Sequence, residues 1–534
     1  MRDTVHSYLH EHTNPPVFIV SAVVILTFVA AGVLFTEAVA TAATAAQDFI
    51  TTYFGWFYIL AVSLFLIFVA GLLFTRFGNV RLGPDDSRPQ FSTLAWFAML
   101  FTAGMGIGLV YFGVAEPISH FTSPPVGQAG TEAAASRAMN LTFFHWGLHP
   151  WAVYIVLGLS LAYFSFRRGL PLKPASAFHP LLGEGINGPV GHLIDVLAVF
   201  GTVFGLATSL GIGAQQINAG LNSLFGIPMG TGTQVMLVAS ITAVAVVSVL
   251  LGIDRGIRRL ALINMCLALA LTAFVFFFGP TLFILDSLPG HVGYYLQNLP
   301  TTSFRLFALD NTAQAWQADW TLFYWGWWIS WSPFVGVFIA RISYGRTVRH
   351  FILGSLFAPV GASIIWFTVF GGTAIFSEMF GPGGVADAAS SNALFVLLQQ
   401  LPVSGVLSVT ASVVAIVVVV LFFATSSDSG SLVVDMLTNG GDPDPIWQQR
   451  LFWAVLEGVV AAVLLVVGGL AALQTASIAA GLPFAVVLCV MCYGLWRGLQ
   501  EEAAPVVAPG AAGQAPEGGR REPARSQGAR APGM

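Results

Sequence analysis

Apolar runs of about twenty residues, divided by short polar connections, recur along the whole chain, and each is long enough to cross a hydrocarbon core as a helix. Twelve are predicted, at about 17–37, 54–75, 92–116, 140–166, 191–221, 233–252, 260–284, 321–341, 351–376, 401–426, 451–471 and 475–496. The first run follows a polar, His-bearing start without a clear cleavage site, so it reads as a span and not as a signal peptide. The pattern divides the chain into an N-terminal segment (1–16), two leading spans (17–91), five spans (92–284), a connection (285–320), five further spans (321–500) and a tail (501–534). The connection carries Tyr294, Tyr295, Leu296, Phe304, Leu306 and Phe307, an amphipathic content suited to lying along the outer surface. The tail is Ala, Pro, Gly and Arg without apolar periodicity and is expected to be disordered.

Composition agrees with this pattern. Of 534 residues, 56% are hydrophobic and 9% charged, against about a quarter charged for a soluble domain. An all-α polytopic membrane protein follows, and a nucleic-acid partner does not. The distribution of charge says more than the net charge of −4. Only Arg137 and Arg305 fall in loops after odd-numbered spans. Loops after even-numbered spans hold Arg76, Arg81, Arg88, Arg167, Arg168, Lys173, Arg255, Arg258, Arg259, Arg341, Arg346, Arg349 and Arg450. The positive-inside rule then places both termini in the cytoplasm of a cell with this chain in its plasma or inner membrane. The three cysteines, Cys266, Cys489 and Cys492, lie within predicted spans and read as small helix residues, with no disulfide assigned.

Several groups of residues carry candidate chemistry. Trp325, Trp327, Trp328 and Trp331 crowd one apolar segment, and Trp146, Trp151 and Tyr154 another. Tryptophan gathers at membrane interfaces, but indole faces also attract cations, quaternary ammonium above all. Within their spans these rings suit a cage for a methylated-ammonium solute. Gly104-Met-Gly-Ile-Gly108 has the glycine spacing of a dinucleotide loop without the strand that such a loop needs. In a membrane, Gly104, Gly106 and Gly108 permit either close helix packing or unwinding, which frees carbonyls for a cation and amides for an anion. Gly326…Ser332-Pro333 is the matching interruption expected at the start of the second five spans. Thr425-Ser-Ser-Asp-Ser-Gly-Ser431 offers hard oxygens for Na⁺, or a helix end whose hydroxyls bond back one turn. His145 and His149, four residues apart, admit a metal-pair reading and a membrane-embedded enzyme with it, with helix packing as the plainer account. Glu116, Asp195 and Glu457 are carboxylates at or within spans, where such groups are functional suspects.

Taken together, Gly104-Met-Gly-Ile-Gly-Leu-Val-Tyr-Phe-Gly-Val-Ala-Glu-Pro117, Phe144-His-Trp-Gly-Leu-His-Pro-Trp151, Asp319-Trp-Thr-Leu-Phe-Tyr-Trp-Gly-Trp-Trp-Ile-Ser-Trp-Ser-Pro-Phe334 and Thr425-Ser-Ser-Asp-Ser-Gly430 resemble the betaine/choline/carnitine transporter family, from about residue 15 to 500. The resemblance implies a LeuT-type fold of twelve transmembrane helices, a 5+5 inverted repeat preceded by two extra N-terminal helices, often assembled as a homotrimer. It implies a transporter and not an enzyme: a sodium-driven symporter of a quaternary-ammonium zwitterion such as glycine betaine, without an organic cofactor. A proton-coupled choline importer and a sodium-independent carnitine or betaine exchanger are the alternatives. By position the central cage is Trp146, Trp151, Tyr154 and Trp328, with Trp327 and Trp331 on the approaches. One sodium is expected at the Thr102 and Met105 carbonyls, the Phe422 carbonyl, and the Thr425 and Ser426 hydroxyls. Choline-type members tend to carry Asp where Gly108 stands, which favours a zwitterion here. A second sodium site would use Thr202 and Phe334, but Leu206 replaces the other threonine of that site. Regulated members have charged terminal domains, so weak osmotic activation is expected from this short tail.

Overall fold

The computed structural model describes residues 11–104, 106–251, 254–443 and 446–502. Residues 1–10, Met105, the Thr102 side chain and the tail beyond Glu502 lie outside the described residues. The long helices are, in order, α1 (Pro15–Leu34), α2 (Thr36–Leu73), α3 (Thr93–Gly104), α4 (Ile107–Thr122), α5 (Glu132–Trp146), α6 (Leu148–Ala162), α7 (Pro189–Phe225), α8 (Thr231–Leu251), α9 (Asp254–Phe278), α10 (Thr281–Ser303), α11 (Asn311–Gln317), α12 (Phe323–Arg341), α13 (Val348–Phe380), α14 (Ala393–Gln400), α15 (Gly405–Thr438) and α16 (Trp447–Glu502). Among the described residues the backbone pairs in β fashion only at one isolated bridge, Arg81 with Thr347. The protein is all-α and multi-pass, with eight helices long and apolar enough to cross a membrane among the described residues. Among the described residues, every predicted apolar stretch lies mostly on helix.

Glycines set the breaks. α3 ends at Gly104, and Gly106, at φ −141° and ψ −153°, is the extended residue from which α4 starts afresh. Gly147, at φ −101° and ψ −125°, separates α5 from α6 within one predicted span. The last two predicted spans form one helical run, α16, broken at Gly468 and at Gly469, whose φ of +57° suits glycine. The expected interruption at Gly326…Pro333 is absent: α12 runs continuously through Pro333. Proline leaves the Ile329 carbonyl without its backbone donor, and the Ser332 hydroxyl donates to that carbonyl at 2.7 Å. The helical path is therefore repaired by a side chain, and the irregular turn lies earlier, as a π-turn over Ala318–Leu322.

Burial separates the helices that meet lipid from those that form the core. In its most apolar window α1 is 28% buried and the Arg259–Phe278 part of α9 is 22% buried, against 94% for Glu132–Arg167. α12 lies at the centre, packed on α6, α7 and α16, while α4 packs on α5, α7 and α13. The arginine-rich face is tied together by Arg81 donating to the Ser87 and Gly345 carbonyls, by Arg346 over the Trp96 ring at 4.0 Å, and by Arg167 pairing with Asp85 and Glu502. The connection between the two sets of five spans is mostly helical, formed by α10, α11 and the π-turn.

Candidate substrate site

Helix α12 presents its tryptophans to the break between α5 and α6. Trp327 and Trp328 stack with ring centroids 4.7 Å apart and planes at 13°. Trp146, at the end of α5, stands across both, at 4.9 Å and 73° to Trp328 and 6.3 Å and 85° to Trp327. Tyr154 meets Trp328 edge-on at 6.2 Å, and Trp151 meets Tyr154 at 5.5 Å. All of these rings are buried. Trp327, which the resemblance assigns to an approach, stacks directly on Trp328. Trp331 lies one turn further, 6.5 Å from Trp327. Trp325 points elsewhere, stacked on His149 at 5.6 Å.

The glycines of α4 complete this surface. A Cβ on Gly108 would come within 2.5 Å of Trp327 Cη2 and 2.9 Å of Trp146 Cη2. One on Gly106 would lie 3.4 Å from Trp331 Cη2. Bare backbone thus reaches the rims of three indoles, an approach that a side chain at Gly108 would block. Gly104 closes α3.

Glu116, which the sequence marked only as a carboxylate near a helix end, is the anchor of the cluster. It is fully buried and receives four donors. Trp146 Nε1 donates to Oε2 at 2.7 Å, and the Tyr324 hydroxyl donates to the same oxygen. With the carboxylate ionised, His145 Nδ1 donates to Oε1 at 2.7 Å and His120 Nε2 at 3.3 Å. His145 Nε2 faces the Thr321 hydroxyl at 3.0 Å, and its carbonyl accepts from Trp328 Nε1 at 2.8 Å. Tyr324 stacks under Trp328 at 5.7 Å and 24°. One carboxylate therefore fixes Trp146 directly and Trp328 through His145 and Tyr324. No local pattern announces this, because Tyr324 is 208 residues away from Glu116 in the chain. Thr321 also lines a cavity of about 260 Å³, with Phe144, Trp316, Arg137 and Arg305.

The metal-pair reading of His145 and His149 does not survive the break at Gly147. His149 Nε2 faces the Ser303 hydroxyl at 3.0 Å, away from the partners of His145. Glu116, His120 and His145 do bring ligand atoms within 4.8 Å of one another. The Glu116 oxygens are already filled by donors, so this set serves as a hydrogen-bond network.

Of the expected sodium ligands, the Thr425 hydroxyl donates to the Leu421 carbonyl at 2.7 Å and lies 3.3 Å from the Phe422 carbonyl oxygen. Two hard oxygens at that separation fit around one small cation, and the same hydroxyl also shows the one-turn back-bonding foreseen as the plainer reading. Ser426 is half-buried beside it. At the second site Thr202 bonds back to the Ala198 carbonyl at 2.8 Å, and Phe334 packs on Trp331 at 5.4 Å. Leu206 fills the space between α7 and α15: a Cβ on Gly430 would lie 2.3 Å from its Cδ1.

The model of the betaine/carnitine/choline family transporters matches residues 16–504. A glycine betaine transporter of Acinetobacter baylyi is 45% identical over 491 residues, 91% of this chain and 73% of that protein. The glycine betaine transporter OpuD of Bacillus subtilis is 44% identical over 472 residues, covering 88% and 91%. The high-affinity choline transport protein of Escherichia coli is 42% identical over 509 residues, covering 94% and 74%. The chain belongs to the betaine/carnitine/choline transporter family, a multi-pass membrane transporter of small quaternary-ammonium substrates.

Proposed function

We propose that the protein imports a quaternary-ammonium zwitterion, most directly glycine betaine, together with sodium. The observation that carries this reading is the crossed arrangement of Trp146 against Trp328, held by Glu116 and faced by the bare backbone at Gly108. Indole faces with no competing donors attract a methylated ammonium, by up to about 2 kcal/mol when desolvated. The substrate's carboxylate supplies the counter-charge that a bare cation would need from the protein, and the amides released around Gly104, Gly106 and Gly108 can receive it. Choline lacks that carboxylate, and the position of Gly108 offers none. The glycine betaine transporters of Acinetobacter and Bacillus, as relatives of this chain, support the same substrate class.

One sodium per substrate is the stoichiometry that the residues favour. Phe422 and Thr425 present adjacent oxygens, with Ser426, Thr102 and Met105 completing the set by resemblance. Leu206 occupies the place of a ligand in the second set, which leaves Thr202 and Phe334 short of one oxygen. At an assumed 100 mV and a tenfold sodium gradient, one ion supplies about 3.7 kcal/mol, or about 500-fold accumulation of a neutral solute. The arginine-rich face is cytoplasmic in this reading, and residues 92–284 and 321–500 form the two halves that alternate access. The test is labelled glycine betaine uptake into proteoliposomes under an inward sodium gradient, with potassium as the control. Accumulation only with sodium is expected. Equal accumulation in both salts removes sodium coupling.

A further inference from the structure

The residue that the transport reading leaves unused is Glu457. It lies in the first half of α16, inside the predicted span 451–471, and its exposure is 0%. Neither carboxylate oxygen has a hydrogen-bond partner among the described residues. No lysine, arginine or histidine among the described residues pairs with it. The charge that acts on it is another carboxylate, Asp428 of α15, which itself pairs with Arg450 at 2.9 Å. Arg450 stands two turns before Glu457 on α16, so it serves the same helix interface but is bound to Asp428.

Among the described residues, the neighbouring elements supply no other balancing charge. α8, whose Thr242 lies against Gly458 beside Glu457, has no titratable residue along its length, and neither has α1. α15 adds Asp435, nearer the arginine-rich face. α7 carries His192 and Asp195, and Asp195 pairs with Lys173 at 3.4 Å. α2 and α12 meet α16 at Ile478, beyond the Gly468–Gly469 break. An ionised carboxylate without donors in such a place costs far more than a proton taken from water.

We infer that Glu457 is a proton-binding site of the transporter, occupied while α8, α15 and α16 are packed as here and emptied when their interface admits cytoplasmic water. The proton comes from hydronium and returns to water, leaving the carboxylate ionised and hydrated. Because Asp428 belongs to the Thr425–Ser431 segment, release at Glu457 places a second negative charge beside the helix that carries the sodium ligands. The site thereby makes opening toward the cytoplasm sensitive to cytoplasmic pH.

The experiment fixes external pH and sodium and varies lumenal pH in proteoliposomes of cytoplasm-inside orientation, for the wild type and Glu457→Gln. The wild-type uptake rate is expected to change about threefold or more as lumenal pH is raised, and the variant to be flat. A variant that keeps the wild-type profile, or a wild type insensitive to pH, overturns the proposal. A profile that follows lumenal sodium and not pH overturns it in favour of a metal-ion site. The substrate-free readout is the infrared carbonyl stretch of a protonated carboxylic acid. It should disappear on alkalinisation in the wild type and be missing in Glu457→Gln. That signal needs no glycine betaine, so failure of the substrate assignment leaves the test standing; its absence from the wild type at acid pH sinks the proton site.

Discussion

Two glutamates lie at zero exposure in this transporter, and their surroundings are opposite. Glu116 receives Trp146, Tyr324, His145 and His120. Glu457 receives none among the described residues. Burial penalises both charges alike, so the hydrogen bonds decide which can remain ionised. A carboxylate satisfied by four donors is a fixed part of the structure, suited to holding an aromatic site in one shape. A carboxyl group with no donor is stable only when neutral, which suits a place where a proton arrives and leaves. Identical chemistry in the sequence thus divides into an anchor and a switch through the partners that the fold brings in.

The comparison breaks most sharply at Glu116. Glu116→Ala strands buried donors from three helices, and removing one member of such a buried set costs about 3–5 kcal/mol. A marked fall in thermal stability in detergent is expected, together with loss of glycine betaine binding. A variant that keeps both would show that Trp146 and Trp328 are held by packing alone. Gly108→Ala is next. Trp146 cannot swing from the added methyl without stretching its bond to Glu116, and overpacking of this kind costs about 1–3 kcal/mol. Substrate affinity should fall about five- to a hundredfold with the fold intact, as read by circular dichroism and equilibrium binding; unchanged affinity would mean that the glycine does not border the substrate. The smallest effect is expected at Glu457. Glu457→Gln replaces a neutral acid by a neutral amide of the same shape, so unfolding stability should stay within about 1 kcal/mol of wild type. A loss comparable to that of Glu116→Ala would mean that Glu457 has ionic partners in the working protein and that the contrast is false.

The sequence reading recovered what local pattern controls. Apolar length fixed the helices, and the glycines at 104–108 marked a true helix break. The crowding of Trp327 and Trp328 with Trp146 was visible because residue type alone suggested a shared purpose. Three features were not visible, each for a reason of distance or repair. The partners of Glu116 on α12 come from the other half of the chain. The break at Gly147 rotates His149 away from His145, so a four-residue spacing no longer means a shared face. Pro333 leaves its helix continuous because Ser332 caps the carbonyl that proline abandons.

The central claim is that the crossed tryptophans receive the methylated ammonium group, and equilibrium binding of glycine betaine to purified wild type and Trp328→Ala tests it most directly. Loss of one indole face should weaken binding by about 1–2 kcal/mol, a five- to thirtyfold rise in Kd, without loss of fold. Binding as tight as wild type would contradict the account and place the substrate elsewhere.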